Sequence, residues 1–331
     1  MTAAPQGEFD LIRAFTRALP LAGEGVVLGP GDDAALLAPP RGEQLVATVD
    51  AVEEGVHFDR RFTPAEIGWK ALAVNLSDLA AMGARPLAAF LSLGLPPALA
   101  VPGRARSWAD RFYDGLLALA DAHRTPLAGG DLAESPVALA DIVLIGAVPR
   151  NRALLRSGAR AGDALYVTGT LGGAAVGLQA LAKLPPRSRN RLQIGEKRTA
   201  PFAAHLYPQP RIAQGLWLQR RRAAHSAIDI SDGLSTDLMH LCEESRLSAE
   251  VDAALLPIAP GASLHHALHG GEDYELLFTA PAAARLPRSI AGVPVTRIGR
   301  MVRSRAGKPR ILLLSDQGSQ PLEPHGWQHF A

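Results

Sequence analysis

Six short acidic segments recur along the chain, each beside glycine or at the end of an apolar run. They constrain the fold more than any other feature. They are Gly29-Pro30-Gly31-Asp32-Asp33, Thr48-Val49-Asp50, Asn75-Leu76-Ser77-Asp78, Gly129-Gly130-Asp131, Asp229-Ile230-Ser231-Asp232-Gly233 and Gly270-Gly271-Glu272-Asp273-Tyr274-Glu275. Glycine lets a backbone turn sharply or approach a ligand closely. Carboxylates at strand ends can converge on one cleft. Hard oxygen ligands of this kind select Mg²⁺, which is usually held by few carboxylates together with substrate phosphates. An aspartate beside glycine also makes ordinary turns. For any one segment alone the turn is the simpler reading; six in one chain weaken it.

Between these segments the pattern is mixed α/β. Gly7 to Leu19 reads as an amphipathic helix on Phe9, Leu11, Ile12, Phe15 and Leu19. Gln44 to Asp50 reads as a strand ending in a carboxylate. Thr63-Pro64-Ala65-Glu66 is a capping box with proline at the first helical position. The helix it opens is predicted to run to Met82, where Gly83 stops it. Ala88 to Leu95 and Ile142 to Val148 read as strands, and Arg106 to Ala122 as a helix. After Pro149-Arg150-Asn151-Arg152 a new strand-turn-helix pattern begins, with a strand over Ala164 to Thr168 and a helix over Ala174 to Leu184. The break near Arg150 predicts two domains, residues 1–150 and 151–331. Lys183 to Lys197 is basic and contains proline, and is expected to be an exposed, solvated loop.

Asp78 is the most telling single residue. Leu72, Val74, Leu76, Leu79 and Met82 lie around most of its helix, so that helix should be largely buried. A carboxylate there is costly unless it is paired or metal-bound. Lys70 lies two turns away, too far to reach it directly. A functional role is favoured over a structural hydrogen bond.

Composition closes off several classes. A chain of 331 residues with 47% hydrophobic residues can build two cored domains. A formal net charge of +2 is too small to suggest a nucleic-acid or anionic-membrane partner. The single cysteine, Cys242, cannot form an internal disulfide and fits a reducing cytoplasm; its apolar surroundings read as core. Glu8 and Asp10 argue against a signal peptide, and no apolar stretch reaches the ~20 residues of a membrane helix. Neither a G-x-x-x-x-G-K-[ST] motif nor the protein-kinase motif set occurs. Gly169-Thr170-Leu171-Gly172-Gly173 does not match G-x-G-x-x-G and reads as a structural turn. His265 and His269 stand at i, i+4 without the zincin glutamate, and read as surface.

Taken in order, these motifs resemble the thiamine-monophosphate kinases, a family within the larger group that shares a fold with aminoimidazole ribonucleotide synthetase. The resemblance spans the chain from Gly7-Glu8-Phe9 to Gly326-Trp327-Gln328-His329-Phe330. It rests most on Lys70 to Gly83 (K-A-L-A-V-N-L-S-D-L-A-A-M-G), Ala227 to Leu234 (A-I-D-I-S-D-G-L) and Gly270 to Leu276 (G-G-E-D-Y-E-L). It implies a two-domain α/β (α+β) fold, with an N-terminal sheet domain for ATP, magnesium and dimerisation and a C-terminal α/β domain. It implies several Mg²⁺ ions held by Asp33, Thr48, Asp50, Asp78, Asp131, Asp229 and Asp232. Nucleotide contacts would come from Tyr113, Gly130, Asp131, Arg156 and Ser231. His57, Glu272 and Trp327 would contact the acceptor substrate. The implied reaction is direct, in-line phosphoryl transfer from ATP to thiamine monophosphate, giving thiamine diphosphate in a cytoplasmic homodimer. Such chemistry needs positioning and charge neutralisation rather than a covalent nucleophile.

Three positions depart from the family pattern. Val49 stands where S-T-D is frequent, Leu132-Ala133 follow Gly129-Gly130-Asp131 where two threonines are frequent, and Val56 precedes His57 where asparagine is frequent. Lost hydroxyls bear on affinity more than on reaction class. Two other readings stay open. One is another member of the fold group, such as a selenophosphate synthetase or a hydrogenase-maturation protein, though the cysteine features of those enzymes are missing. The other is a non-catalytic nucleotide binder, against which the retained motif carboxylates argue.

Overall fold

The computed structural model describes residues 25–29, 34–100, 107–184 and 202–326. The opening helix expected over Gly7 to Leu19, Asp33, Trp327 and most of the basic loop after Lys183 lie outside these residues. The chain forms two compact units. Described residues up to Leu76, with Arg85–Arg150, make the first. Ser77–Ala84, Asn151–Lys183 and the described residues after Arg198 make the second.

In the first unit, β1 (Val26–Leu28) and β2 (Leu36–Leu37) pair antiparallel. The main sheet is built from β3 (Glu43–Glu53), β4 (Arg85–Leu95), β5 (Leu127–Glu134) and β6 (Leu139–Pro149), in the order β3-β6-β4-β5. β3 and β6 pair antiparallel over their whole lengths, from Glu43 opposite Pro149 to Glu53 opposite Leu139. Helix α1 (Pro64–Ala81) opens as its capping signal predicts, with the Glu66 carboxylate accepting from the Thr63 N–H at 2.6 Å. Leu72, Ala73, Leu76, Leu79 and Ala80 on α1 are fully buried, as its all-round apolar pattern requires. Helix α2 (Trp108–Ala122) starts at Ser107, whose capping box with Asp110 fixes the boundary.

Alternation along the sheet strands separates two faces. Val52, Leu91, Leu93, Ala140, Ile142 and Leu144 are buried. The opposite face carries Leu45, Val49 and Val143, exposed at 47%, 58% and 39%. Val49 and Val143 sit directly opposite each other. Two expectations change here. β3 continues three residues beyond Asp50, because β6 offers partners as far as Leu139. Gly129-Gly130-Asp131 is part of a strand, in parallel register with Phe90-Leu91-Ser92. A Cβ on Gly130 would lie 2.0 Å from the Leu91 carbonyl oxygen, so glycine is what lets the strands approach.

The second unit holds a larger mixed sheet. Its strands are β7 (Ala164–Thr168), β8 (Ser226–Asp229), β9 (Leu247–Asp252), β10 (Leu276–Ala280), β11 (Ser289–Ile290), β12 (Val293–Arg303), β13 (Ile311–Ser315) and β14 (Gly318–Pro321). They run in the order β14-β13-β9-β12-β7-β10-β8, with β11 on β12. Helices α3 (Gly173–Ala182), α4 (Ile212–Arg221), α5 (Leu234–Glu244) and α6 (Leu264–His269) accompany it. Leu165, Val167, Ile228, Leu238, Leu241, Cys242, Val251, Leu277 and Ile298 share one core. Cys242 is buried, as its apolar helix suggested. β8 was not legible from the sequence, since four buried residues are too few for a periodic signal. No described helix is long and apolar enough to cross a membrane.

Candidate functional site

In the second unit, two acidic segments distant in sequence are hydrogen-bonded side by side. β8 and β10 pair with Asp229 opposite Leu276. The pairing continues beyond both strands. The Ile230 N–H donates to the Glu275 carbonyl at 2.8 Å, the Tyr274 N–H to the Ile230 carbonyl at 2.8 Å, and the Glu272 N–H to the Ser231 carbonyl at 2.7 Å. Glu272 and Tyr274 take left-handed φ values of +66° and +49°. Each costs about 1–3 kcal/mol and persists only where the surroundings fix it. The ladder to Ile230 and Ser231 does so.

The Asp229 carboxylate is buried and accepts from the Ser77 hydroxyl at 2.6 Å. Ser77 precedes Asp78, so the α1 motif and the Asp229 loop meet within this unit. Asp237, absent from the sequence-derived set, joins them. Its carboxylate accepts from the N–H groups of Asp232 and Gly233, each at 3.1 Å. Burial pushes it up to about 8, helped by the charges of Asp229 and Asp232 and opposed by those two N–H groups. Its sequence signal was weak: one aspartate in the first turn of a helix.

Every acid of the Gly270 to Glu275 motif has its own partner. Glu272 Oε2 lies 2.8 Å from His205 Nδ1, on the single helical turn Ala203–Leu206. Asp273 accepts from the N–H groups of Gly172 at 2.6 Å and Ala174 at 3.1 Å, so it caps α3 from outside that helix. Burial pushes the Asp273 carboxyl up to about 7 against the pull of those N–H groups. Glu275 pairs with Arg211. The tail reaches the same region: the His325 N–H donates to Ser235 Oγ at 3.4 Å and the Gly326 N–H to Thr236 Oγ1 at 3.1 Å. Arg156 lies in a 3₁₀ turn, Arg156–Gly158, whose Arg156 carbonyl accepts from Ser245 Oγ at 2.6 Å.

In the first unit, strand register arranges the candidate residues. Asp50, Ile142, Leu91 and Gly130 form one row across the sheet; Ala51, Asp141, Ser92 and Asp131 form the next. Asp50 and Asp131 therefore sit on outer strands of the sheet, about 14 Å apart along it at ~4.8 Å per strand. Both are exposed, and Thr48 is half-buried two residues before Asp50. Asn75 Nδ2 donates to the Asp50 carbonyl at 3.3 Å. The Tyr113 hydroxyl is pushed up to about 12 by burial, so it remains a donor. His57 Nδ1 accepts from the Glu53 N–H at 3.2 Å, which leaves Nε2 to carry the proton of the neutral ring. Beneath it, Lys70 is 1% exposed, donates to the His57 carbonyl at 3.4 Å and lies over the Phe62 ring.

The donor set suits magnesium. It is all oxygen, the ligand class Mg²⁺ prefers. Buried Asn75 Oδ1 and Asp141 Oδ1 have no hydrogen-bond partner, and the charges of Asp229 and Asp232 add to burial in raising the proton affinity of Asp237. A cation at each of these two places would relieve the condition there. Among the described residues no three His, Cys, Asp or Glu side chains form a closed metal cage. Mg²⁺ keeps waters and phosphate oxygens, so one or two carboxylates per ion suffice.

Asp237 gives a stability test. Its folded-state value of about 8 lies above the ordinary 3.8. The folded protein therefore binds this proton more tightly, and the stability contributed is present at low pH and lost as pH rises from about 4 to about 8. Asp237→Asn keeps an acceptor for both N–H groups and cannot ionise. It should raise Tm on the order of 5 °C at pH 8.5 in chelator and leave it nearly unchanged at pH 5. Thermal melts at the two pH values check it.

Comparison with known proteins finds two family domains, the first of which includes residues 77–84, grouped with the second unit in the structure. Residues 31–150 match the family model for the N-terminal domain of AIR synthase related proteins, and residues 160–311 match that for the C-terminal domain. The chain is 41% identical over 339 residues to the thiamine-monophosphate kinase of Escherichia coli strain K12, covering 98% of each. It is similar to the crystal structure of thiamine-monophosphate kinase from Stenotrophomonas maltophilia K279a, with TM-score 0.76 and 40% identity over 92% of this chain and 94% of that one. It is also similar to AaThiL complexed with AMPPCP and TMP, with TM-score 0.74 and 31% identity over 98% and 97% of the two chains.

Proposed function

The chain belongs to the thiamine-monophosphate kinase family, and from that membership we infer that it phosphorylates thiamine monophosphate to thiamine diphosphate with ATP as donor. The observation that carries the reading is the ladder joining Asp229–Ser231 to Glu272–Glu275. It brings a carboxylate cluster suited to metal and phosphate beside a carboxylate suited to the cationic thiamine end. A relative matched over 98% of this chain and 97% of its own is complexed with AMPPCP and TMP together.

Asp33, Thr48, Asp50, Asp78, Asp131, Asp229 and Asp232 would hold several Mg²⁺ ions. When bound, these ions neutralise phosphate charge and orient phosphate oxygens. The spacing of Asp50 and Asp131 favours separate ions for the two. Tyr113, Gly130, Arg156 and Ser231 would contact the nucleotide. His57 would offer its Nε2–H to an anionic acceptor, and Glu272 with Trp327 would hold the thiamine end. Transfer is direct and in line. Cys242 cannot serve as a nucleophile, since burial pushes its thiol up to about 12. Residues 1–150 would carry ATP, metal and dimer contacts, and 151–331 the remainder of the site. A cytoplasmic homodimer is the state this reading expects.

Incubation with ATP, Mg²⁺ and thiamine monophosphate should yield thiamine diphosphate by chromatography. A free hydroxyl acceptor would need a general base. Efficient conversion of thiamine to its monophosphate, with no diphosphate from the monophosphate, would sink the reading.

A further inference from the structure

Half-buried Arg211 and the buried residues Glu275 and Thr168 form a polar triad in the second unit, outside the ligand sets above. Glu275 is 3% exposed and Thr168 fully buried. Glu275 Oε2 accepts from Arg211 Nε at 2.6 Å and from Thr168 Oγ1 at 2.6 Å. Oε1 accepts from Arg211 Nη2 at 2.5 Å. Thr168 Oγ1 accepts in turn from the Leu276 N–H at 2.8 Å. Gly169 follows with φ +58°, and a Cβ there would stand 1.9 Å from Glu275 Oε1. Thr168, which ends the strand read from the sequence, and Gly169, which opens the structural turn after it, therefore cradle this carboxylate.

A buried ion pair is weak support for stability, because desolvation offsets most of its attraction. Its location is more informative. The Glu275 carbonyl accepts from Ile230, and the next residue, Leu276, pairs with Asp229. The left-handed residues Glu272 and Tyr274 lie immediately upstream. Arg211 is the N-cap of α4 and Thr168 ends β7. Three elements are thus tied at the residue where the two acidic segments come into register.

We propose that Arg211, Glu275 and Thr168 are positioning residues that hold Glu272–Glu275 in register with Asp229–Ser231. They set the Glu272 carboxylate relative to the Asp229 and Asp232 carboxylates. The inference rests on reading these segments as part of the phosphoryl-transfer site.

The test separates positioning from stability. Arg211→Met alone strands the Glu275 charge and should lower Tm. The double variant Arg211→Met/Glu275→Gln removes both charges and should recover most of that Tm. Its turnover should nonetheless stay low, by on the order of 10²-fold in kcat, with KM for ATP little changed. Amide exchange at Ile230, Glu272 and Tyr274 should quicken about 10-fold. Thr168→Val should shift kcat and exchange the same way, less strongly, and it decides the matter if the double variant does not fold. Wild-type turnover with wild-type exchange in either variant would overturn the proposal. If the unmutated protein makes no thiamine diphosphate, the functional reading fails instead, and amide exchange still decides whether the triad holds the register.

Discussion

Asp50→Asn, Asp78→Asn and Asp131→Asn should each lower turnover by on the order of 10²–10³-fold at saturating Mg²⁺, with little change in Tm. ATP and the acceptor phosphate are both anionic and repel as they approach. Bare carboxylates would add to that repulsion. With cations bound, the same carboxylates become a scaffold that fixes phosphate oxygens. Losing one ligand forfeits several kcal/mol of charge stabilisation, which is two or more decades of rate. Stability should hold because Asp50 and Asp131 are exposed and Asp78 is only half-buried. Asparagine keeps the size and removes the charge. Asp273→Asn is the contrasting case, since Asp273 caps α3 and its loss should appear in Tm first. Near-native turnover in all three variants would refute the ligand assignment. Loss of folding would return these aspartates to a structural role.

Val49→Asp should convert a homodimer into a monomer of 34.9 kDa at micromolar concentration. One face of the β3-β6-β4-β5 sheet exposes Leu45, Val49 and Val143, with the two valines directly opposed. An apolar sheet face of this kind needs cover. In the homodimer proposed above a second copy would supply it, and a stable interface of that sort buries more than ~2,000 Å². Two-fold symmetry doubles each substitution. Two unpaired carboxylates buried at such an interface should raise the dissociation constant by at least ~10³-fold. Light scattering reads the mass directly. A wild-type protein that is a stable monomer would dispose of the interface, and a dimeric Val49→Asp would move it elsewhere.

Much of this molecule was legible in its sequence where the signal was local. The capping box at Thr63–Glu66 set the start of α1, and the helix read over Arg106 to Ala122 is α2, whose start the structure places at Trp108. The apolar runs gave β4 and β6, though each extends beyond its run because the neighbouring strand continues to offer partners. The all-round apolar surface of α1 correctly foretold its burial.

Tertiary structure decided what depended on partners far away in the chain. By sequence the acids of the Asp229 and Glu272 segments belonged to the same kind of glycine-flanked motif, and Asp273 and Glu275 had no role of their own; the fold gives each a distinct partner. Asp273 became a cap for α3, about a hundred positions earlier, and Glu275 became half of an ion pair with Arg211. Asp237 entered the carboxylate cluster only because α5 begins against the Asp232 loop. Gly129–Asp131 became strand rather than turn because Leu91 lies close enough to exclude a side chain at Gly130. Local patterns fix what depends on the chain's own geometry over one or two turns. Which acid meets metal, helix end or arginine depends on register between strands, and register is a property of the assembled sheet.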